Sequence, residues 1–358
     1  MSITVDLSKN YGSFHLDVRF SAESRRIGIL GASGSGKSMT LRMIAGIISP
    51  DSGLVQIGTD CFYDSGRRIN VRPQARKIGY LFQNYALFPT MTVAQNIACG
   101  VQGTKKQKQA RAEEMIREFH LERLGGRLPS ELSGGQQQRA ALARIMAYEP
   151  DVILLDEPFS ALDVYLKDQM QQELVQFLDT YPGIIIMVSH DRDEIYRICE
   201  ELVIIDEGKT VISGRTKDIF ADPQSRTAAT LTGCKNFSAA ARIDDHTFRA
   251  EDWGITVHTQ KVLPDSFDCI GYRAHEFEPV WGAQKENCIP VHVSGCAELQ
   301  FEKKFYINTK AEGSSETAPV KWFAQRNVWD ELEQKGMPDW LRIQEEHILF
   351  LQQRRCSC

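Results

Sequence analysis

Gly31-Ala32-Ser33-Gly34-Ser35-Gly36-Lys37-Ser38 carries the clearest chemistry in the chain. It fits the pattern G-x-x-x-x-G-K-[ST] at every fixed position. Gly31, Gly34 and Gly36 let the backbone turn tightly and bring its N–H groups against phosphate oxygens. Lys37 is a flexible point charge that reaches β- and γ-phosphates, and Ser38 offers a hydroxyl to Mg²⁺. Residues 26–30 read as a short buried strand entering the loop. Residues 39–45 read as the helix leaving it, with its positive end toward the phosphates. A Gly/Ser-rich surface turn is the plain alternative, and the flanking strand and helix favour a nucleotide site.

Two further stretches fit the same chemistry. Val152-Ile153-Leu154-Leu155 is an apolar run of the kind found in strands buried on both faces, and it ends in Asp156-Glu157. Asp156 at a strand tip can hold Mg²⁺, directly or through water, beside Ser38. Glu157 can polarise an attacking water. Leu132-Ser133-Gly134-Gly135-Gln136-Gln137-Gln138-Arg139 opens another helix. Ser133 and the two glycines aim a hydroxyl and free N–H groups at an anion. One nucleotide pocket hardly needs two such elements, and a plain capped helix is the other reading. Tyr11 precedes the phosphate loop; it is either an adenine-stacking ring or an ordinary strand aromatic.

The elements that must hold these residues alternate. Residues 3–20 read as two antiparallel strands around a turn at 11–13, and 54–57 and 78–82 as strands. Residues 67–77 read as a basic, Pro-containing loop. From 87 to about 148 the texture is helical, at 92–98, 105–119 and 136–148, a helical insert in an α/β domain. Lys105-Lys106-Gln107-Lys108 is a solvated helix face. Strands return at 152–156 and 183–188, the second ending in Ser189-His190-Asp191, with a hairpin over 202–212. This order defines a doubly wound α/β domain. Residues 216–231 read as a helical link, and the rest as a small β-rich sandwich or barrel. The expected domains are 1–232 and 233–358.

Composition bounds the class. The chain has 358 residues, 42% hydrophobic and 25% charged, with net charge −5. That balance supplies no basic excess to meet nucleic acid. The N-terminus is read as carrying no signal peptide. No apolar run approaches the roughly 20 residues that span a bilayer, so membrane association is expected to be peripheral. The nine cysteines read as reduced thiols of a cytosolic chain, with Cys356 and Cys358 in a frayed tail.

Taken together, these motifs resemble the ATP-binding cassette ATPases, specifically the nucleotide-binding subunits of bacterial importers, over about residues 1–235. Gly31–Ser38 matches Walker A, Val152–Glu157 Walker B, and Leu132–Arg139 the signature. Gln83 matches the Q-loop, Ser160-Ala161-Leu162-Asp163 the D-loop, His190 the switch histidine and Tyr11 the adenine-stacking aromatic. The resemblance implies ATP contacts at Tyr11, Gly31, Ser33, Gly34, Ser35, Gly36, Lys37, Ser38, Met39 and Gln83. It implies contacts from Ser133, Gly134, Gly135 and Gln136 to the nucleotide of a second copy, in a head-to-tail dimer. It implies Mg²⁺ at Ser38, Gln83 and Asp156, and catalysis by Glu157 and His190. The implied fold is an ABC-type P-loop ATPase domain with a helical subdomain, then a small β-rich, OB- or TOBE-like regulatory domain.

The implied function is ATP hydrolysis at the cytoplasmic face of the membrane. It would drive a permease served by an extracytoplasmic solute-binding protein. Residues 86–93, with Leu87, Phe88 and Met91, look like the permease-contacting segment. Residues 231–243 look most like the molybdate/sulfate subgroup, so an oxyanion is the expected solute, with polyamine, iron or sugar as alternatives. DNA-repair ATPases and ribosome-associated factors share the motifs. The first carry a long coiled coil between them, and the second usually two cassettes and a basic linker. Neither feature is present here.

Overall fold

The computed structural model describes residues 2–160, 164–309 and 319–352, the side chains of 164–166 excepted. The chain divides into two compact units, Met1–Lys217 and Asp218–Cys358.

In the first unit the strands are β1 (Ile3–Asn10), β2 (His15–Ala22), β3 (Arg26–Leu30), β4 (Ser52–Ile57), β5 (Asp60–Asp64), β6 (Ile69–Asn70), β7 (Ile78–Leu81), β8 (Val152–Asp156), β9 (Ile184–Ser189), β10 (Glu201–Asp206) and β11 (Lys209–Arg215). The helices are α1 (Lys37–Ile44), α2 (Val93–Ala98), α3 (Lys105–Glu118), α4 (Gly134–Met146), α5 (Val164–Thr180) and α6 (Arg192–Ile198). All eleven strands join one sheet, ordered β6-β5-β4-β1-β2-β11-β10-β3-β9-β8-β7. The doubly wound reading describes half of it. Strands β10, β3, β9, β8 and β7 are parallel, while β2, β1, β4, β5 and β6 form an antiparallel meander. Burial explains the difference. Strands β8 and β9 are buried at every residue, as parallel strands covered on both faces must be. Strand β2 alternates buried and less buried positions, as a one-faced antiparallel strand does.

Register places the chemistry. Leu30 pairs with Ser189, Asp156 with Val188 and Leu81 with Leu155. The segments that follow β3, β7, β8 and β9 therefore leave the sheet at one edge, the carboxyl ends of the parallel strands. They begin the Gly31 loop, Gln83, Glu157 and His190. In α/β sheets this edge is where ligands bind.

The loop expected at 67–77 is more structured than its composition suggests. It contains β6 and a single 3₁₀ turn at Pro73–Ala75, and Arg76 is buried. The Arg76 guanidinium donates to the carbonyls of Met43 at 3.2 Å, Ile44 at 2.6 Å and Val71 at 2.8 Å. It thus satisfies and charge-balances the C-terminus of α1.

The second unit begins earlier than the 232/233 boundary expected from sequence. Of α7 (Thr216–Ala221) and α8 (Arg226–Leu231), α8 belongs wholly to it. Ala228 and Ala229 are fully buried, and Ala229 clusters with Cys234, Cys269, Leu349 and Leu351. The strands are β12 (Asn236–Arg242), β13 (Thr247–Ala250), β14 (Ile255–His258), β15 (Cys269–Tyr272), β16 (Glu278–Val280), β17 (Cys288–Pro290), β18 (His292–Glu298), β19 (Glu302–Asn308), β20 (Val320–Gln325), β21 (Trp340–Arg342) and β22 (Leu349–Leu351), with α9 at Arg326–Lys335. They form three sheets: β14-β13-β12-β15-β22, β16-β21-β17 and β18-β19-β20. A core around Trp322, Phe248, Tyr272 and Leu341 joins them. The unit is β-rich as expected. Ala161, Leu162, Asp163, Cys356 and Cys358 lie outside the described residues.

Candidate nucleotide site

The phosphate loop runs from the end of β3 into α1. A Cβ on Gly31 would lie 2.2 Å from the Ile205 carbonyl oxygen, so only glycine fits. Gly36 is the N-cap of α1 at φ 103° and supplies no side-chain cap. The contrast with the neighbouring helices is informative. Helices α2, α3 and α4 each close their own N-terminus with a capping box, Thr92 with Gln95, Thr104 with Gln107 and Ser133 with Gln136. Only α1 of these four leaves its first N–H groups without side-chain acceptors, and its first turn carries no acid. Such a start holds an anion. The Ser35 hydroxyl, buried and without a hydrogen-bond partner, is a further polar group held against the loop. Ser33 and Gly34 are exposed on its outer side. Met39, in the first turn of α1, packs partly buried against the core.

Lys37 is buried and donates to the carbonyls of Gly31 and Ala32, both at 2.8 Å. Burial pushes its pKa below the ordinary lysine value, and the charges of Glu157 and Asp156 pull it back. The ammonium is thus inside the loop and within the field of both carboxylates.

Asp156 is 3% exposed. Its Oδ1 accepts from Ser38 Oγ at 2.6 Å and its Oδ2 from Tyr80 Oη at 2.8 Å. Ser38 and Asp156 are a hard oxygen pair of the kind that shares a Mg²⁺ with water and phosphate. Glu157 adopts φ 48°, in the left-handed region that an L-residue rarely visits. Its N–H donates to the Val188 carbonyl at 3.0 Å, which holds that turn. Its Oε2 lies 3.3 Å from His190 Nδ1 and 3.5 Å from Gln83 Nε2. Three of the residues read from sequence, Ser38, Gln83 and His190, therefore meet around two adjacent carboxylates. Ser160 closes the turn, donating from Oγ to the Glu157 carbonyl at 2.9 Å.

The β1–β2 turn brings Tyr11. Its ring is partly exposed, with Lys9 Nζ 5.5 Å from its centroid. A Cβ on Gly36 would lie 2.8 Å from Leu16 and 3.4 Å from Phe14, so this hairpin packs against the loop. Sequence reading missed Phe14, and it missed Tyr80. Only strand pairing puts the Tyr80 hydroxyl on Asp156, and no spacing in the sequence signals it.

Comparison with known proteins fits this geometry. The sequence profile described as "ABC transporter" matches residues 16–160. The sulfate/thiosulfate import ATP-binding protein CysA of Gloeobacter violaceus is 40% identical over 243 residues, covering 66% of this chain and 69% of that protein. The chain belongs to the ABC transporter ATP-binding proteins. Another such protein, the putrescine transport ATP-binding protein PotG of Escherichia coli, is 40% identical over 237 residues, covering 64% of this chain and 61% of PotG. Among solved structures, the dimeric post-hydrolysis state of the ATP-binding cassette MJ0796 bound to ADP and Pi superposes with TM-score 0.51. It is 27% identical, covering 60% of this chain and 99% of that one.

In this ABC protein the signature lies apart from the phosphate loop in its bonding. Ser133 N–H donates to Gln136 Oε1 at 3.0 Å, and Gln136 N–H to Ser133 Oγ at 3.4 Å. The capping box thus uses two of the groups that the sequence left open to an anion. Ser133 itself is exposed and Gly134 half-buried. Gly135 is buried. A Cβ there would meet Met170 Sδ of α5 at 3.0 Å, so a side chain at 135 disturbs α5 before it meets any ligand.

Residues 87–91 are held by Asn96, which is fully buried. Its Nδ2 donates to the carbonyls of Phe88, Met91 and Thr92, and its Oδ1 accepts from Phe88 N–H. Phe88 is 47% exposed, with Arg144 5.7 Å from its ring centroid. Leu87 and Met91 are half-buried. No helix among the described residues is long and apolar enough to cross a membrane.

Proposed function

We propose that the chain hydrolyses ATP to drive uptake of an oxyanion, sulfate or thiosulfate in the first instance, through a membrane permease. The observation that carries the catalytic reading is the shared strand edge. There an uncapped helix start with its buried lysine stands beside Ser38, Asp156, Glu157, Gln83 and His190. The observation that carries the solute is the similarity to the sulfate/thiosulfate import protein CysA.

In this reading Lys37 and the N–H groups of the Gly31–Ser38 loop hold the β- and γ-phosphates. Tyr11 stacks on the adenine. Ser38, Asp156 and Gln83 would hold Mg²⁺, which would supply positive charge against the phosphates. Glu157 orients and polarises the attacking water, and His190, beside Glu157 at 3.3 Å, contacts the γ-phosphate. A second copy, meeting the first head to tail, supplies Ser133, Gly134, Gly135 and Gln136 to complete each site and exclude water. Phe88 and its neighbours face the permease, which places the chain peripherally at the cytoplasmic face of the membrane. The complex would take its solute from an extracytoplasmic binding protein.

Putrescine uptake is the second reading, because PotG matches at the same identity as CysA. Two experiments test the proposal. Lys37→Ala is expected to weaken ATP binding. Glu157→Gln is expected to retain binding but lose about 10²–10⁴-fold in turnover, with dimers accumulating. Parental rates in both variants would remove the assignment. Growth of a sulfate-importer-deficient strain on sulfate, against a putrescine-uptake assay, separates the two solutes.

A further inference from the structure

The loop that carries His190 is held by a network that none of these roles uses. Ser189 Oγ donates to Glu194 Oε2 at 2.5 Å and accepts from Asp191 N–H at 2.9 Å. Asp191 Oδ1 caps α6 through Asp193 N–H at 3.0 Å. Lys167, on α5, closes the network. Its Nζ lies 2.7 Å from Asp191 Oδ2 and 2.7 Å from Glu194 Oε1. Glu194 is 5% exposed, so its charge has little water to meet it. The His190 side chain, by contrast, is 62% exposed. The residues on both sides of His190 are therefore fixed, and its exposed imidazole lies with Nδ1 3.3 Å from Glu157 Oε2.

Lys167 stands on a rigid support. Met170, Leu174 and Leu178 of the same helix are buried, and Met170 seats against Gly135. We propose that Lys167 is a positioning residue for hydrolysis: by holding Asp191 and Glu194 together, it fixes the loop that presents His190 beside Glu157. This rests on the role given to His190 above. Without the ammonium, two carboxylates flank the loop uncompensated and repel each other. The loop then opens, and His190 leaves the 3.3 Å approach to Glu157. A misplacement of about 1 Å can cost on the order of 10² in rate.

The test is steady-state hydrolysis of MgATP by the full-length chain. Lys167→Met is expected to lower kcat about 10- to 100-fold and to leave KM within about twofold, because the Gly31–Ser38 loop still binds ATP. Lys167→Arg, which keeps the charge, should restore most of kcat. His190→Ala with Lys167→Met should be no slower than His190→Ala alone, since both act through one group. If Lys167→Met does not fold, Lys167→Gln, which keeps a hydrogen-bond donor but no charge, leaves the same two carboxylates uncompensated and should show a loss in kcat. An unchanged kcat in the folded variant overturns the proposal. So does a loss that multiplies fully with His190→Ala. A parent chain that does not hydrolyse ATP overturns instead the functional reading beneath it.

Discussion

Tyr80→Phe removes one hydroxyl of the site, which bonds to Arg42 as well as to Asp156. The substitution removes the hydroxyl that donates to Asp156 Oδ2 at 2.8 Å. It keeps the ring, its contact with Phe82 at 4.3 Å between centroids and its place opposite Leu154 in the sheet. Asp156 keeps Ser38 on Oδ1, and at 3% exposure it cannot recruit water for the lost donor. Hydrogen bonds to charged groups contribute about 1.5–3 kcal/mol net. For a unit of this size that corresponds to a fall of roughly 3–10 °C in melting temperature.

The assay has an internal reference. All five tryptophans, Trp253, Trp281, Trp322, Trp329 and Trp340, lie in the second unit, which begins at Asp218. The far-UV circular dichroism transition should move, while the tryptophan fluorescence transition stays. pH supplies a control. Burial first, and the Asp156 charge second, push the Tyr80 phenol above its ordinary value. A group raised on folding contributes in full below its unfolded pKa, about 10 for tyrosine, and loses that contribution as pH rises through the folded value. The difference between parent and variant should therefore be flat from about pH 6 to 9 and shrink above 10. A circular dichroism shift under about 1 °C would show that Asp156 does not depend on Tyr80, and the account of the carboxylate would fail.

Two further outcomes follow from the geometry. Ser133→Asp keeps a good N-cap but turns a negative charge toward the phosphate of a partner copy. Hydrolysis should fall by about 10² or more and recover in part when the variant is mixed with Lys37→Ala chains. No recovery in demonstrated mixed dimers would end the shared-site model. Residues 1–217 should fold and bind ATP on their own, whereas 1–232 should be less soluble, because it exposes the Ala228–Ala229 face of α8. Aggregation of the shorter fragment on expression, with the longer one soluble, would move the boundary back.

The sequence by itself determined whatever is local. Eight adjacent residues specify the phosphate loop, because backbone N–H groups, lysine and hydroxyl all act within one turn. The apolar runs of β8 and β9 announce strands buried on both faces, and the carboxylates at the end of β8 follow directly. The capping boxes at Thr92, Thr104 and Ser133 are equally local; a capped helix is one of the two sequence readings at Ser133, and its pairing with Gln136 shows how much of that helix start is already satisfied. Tertiary structure decided what depends on partners far apart in the chain. Tyr80 meets Asp156 across 76 residues through the β7–β8 pairing. Lys167 meets Asp191 across 24 by the packing of α5. Arg76, read as part of a basic loop, is buried because α1 presents open carbonyls that need its donors. Short-range hydrogen bonds and periodic burial are written in neighbouring residues, but a charge or hydroxyl finds its distant partner only after the sheet has fixed its register.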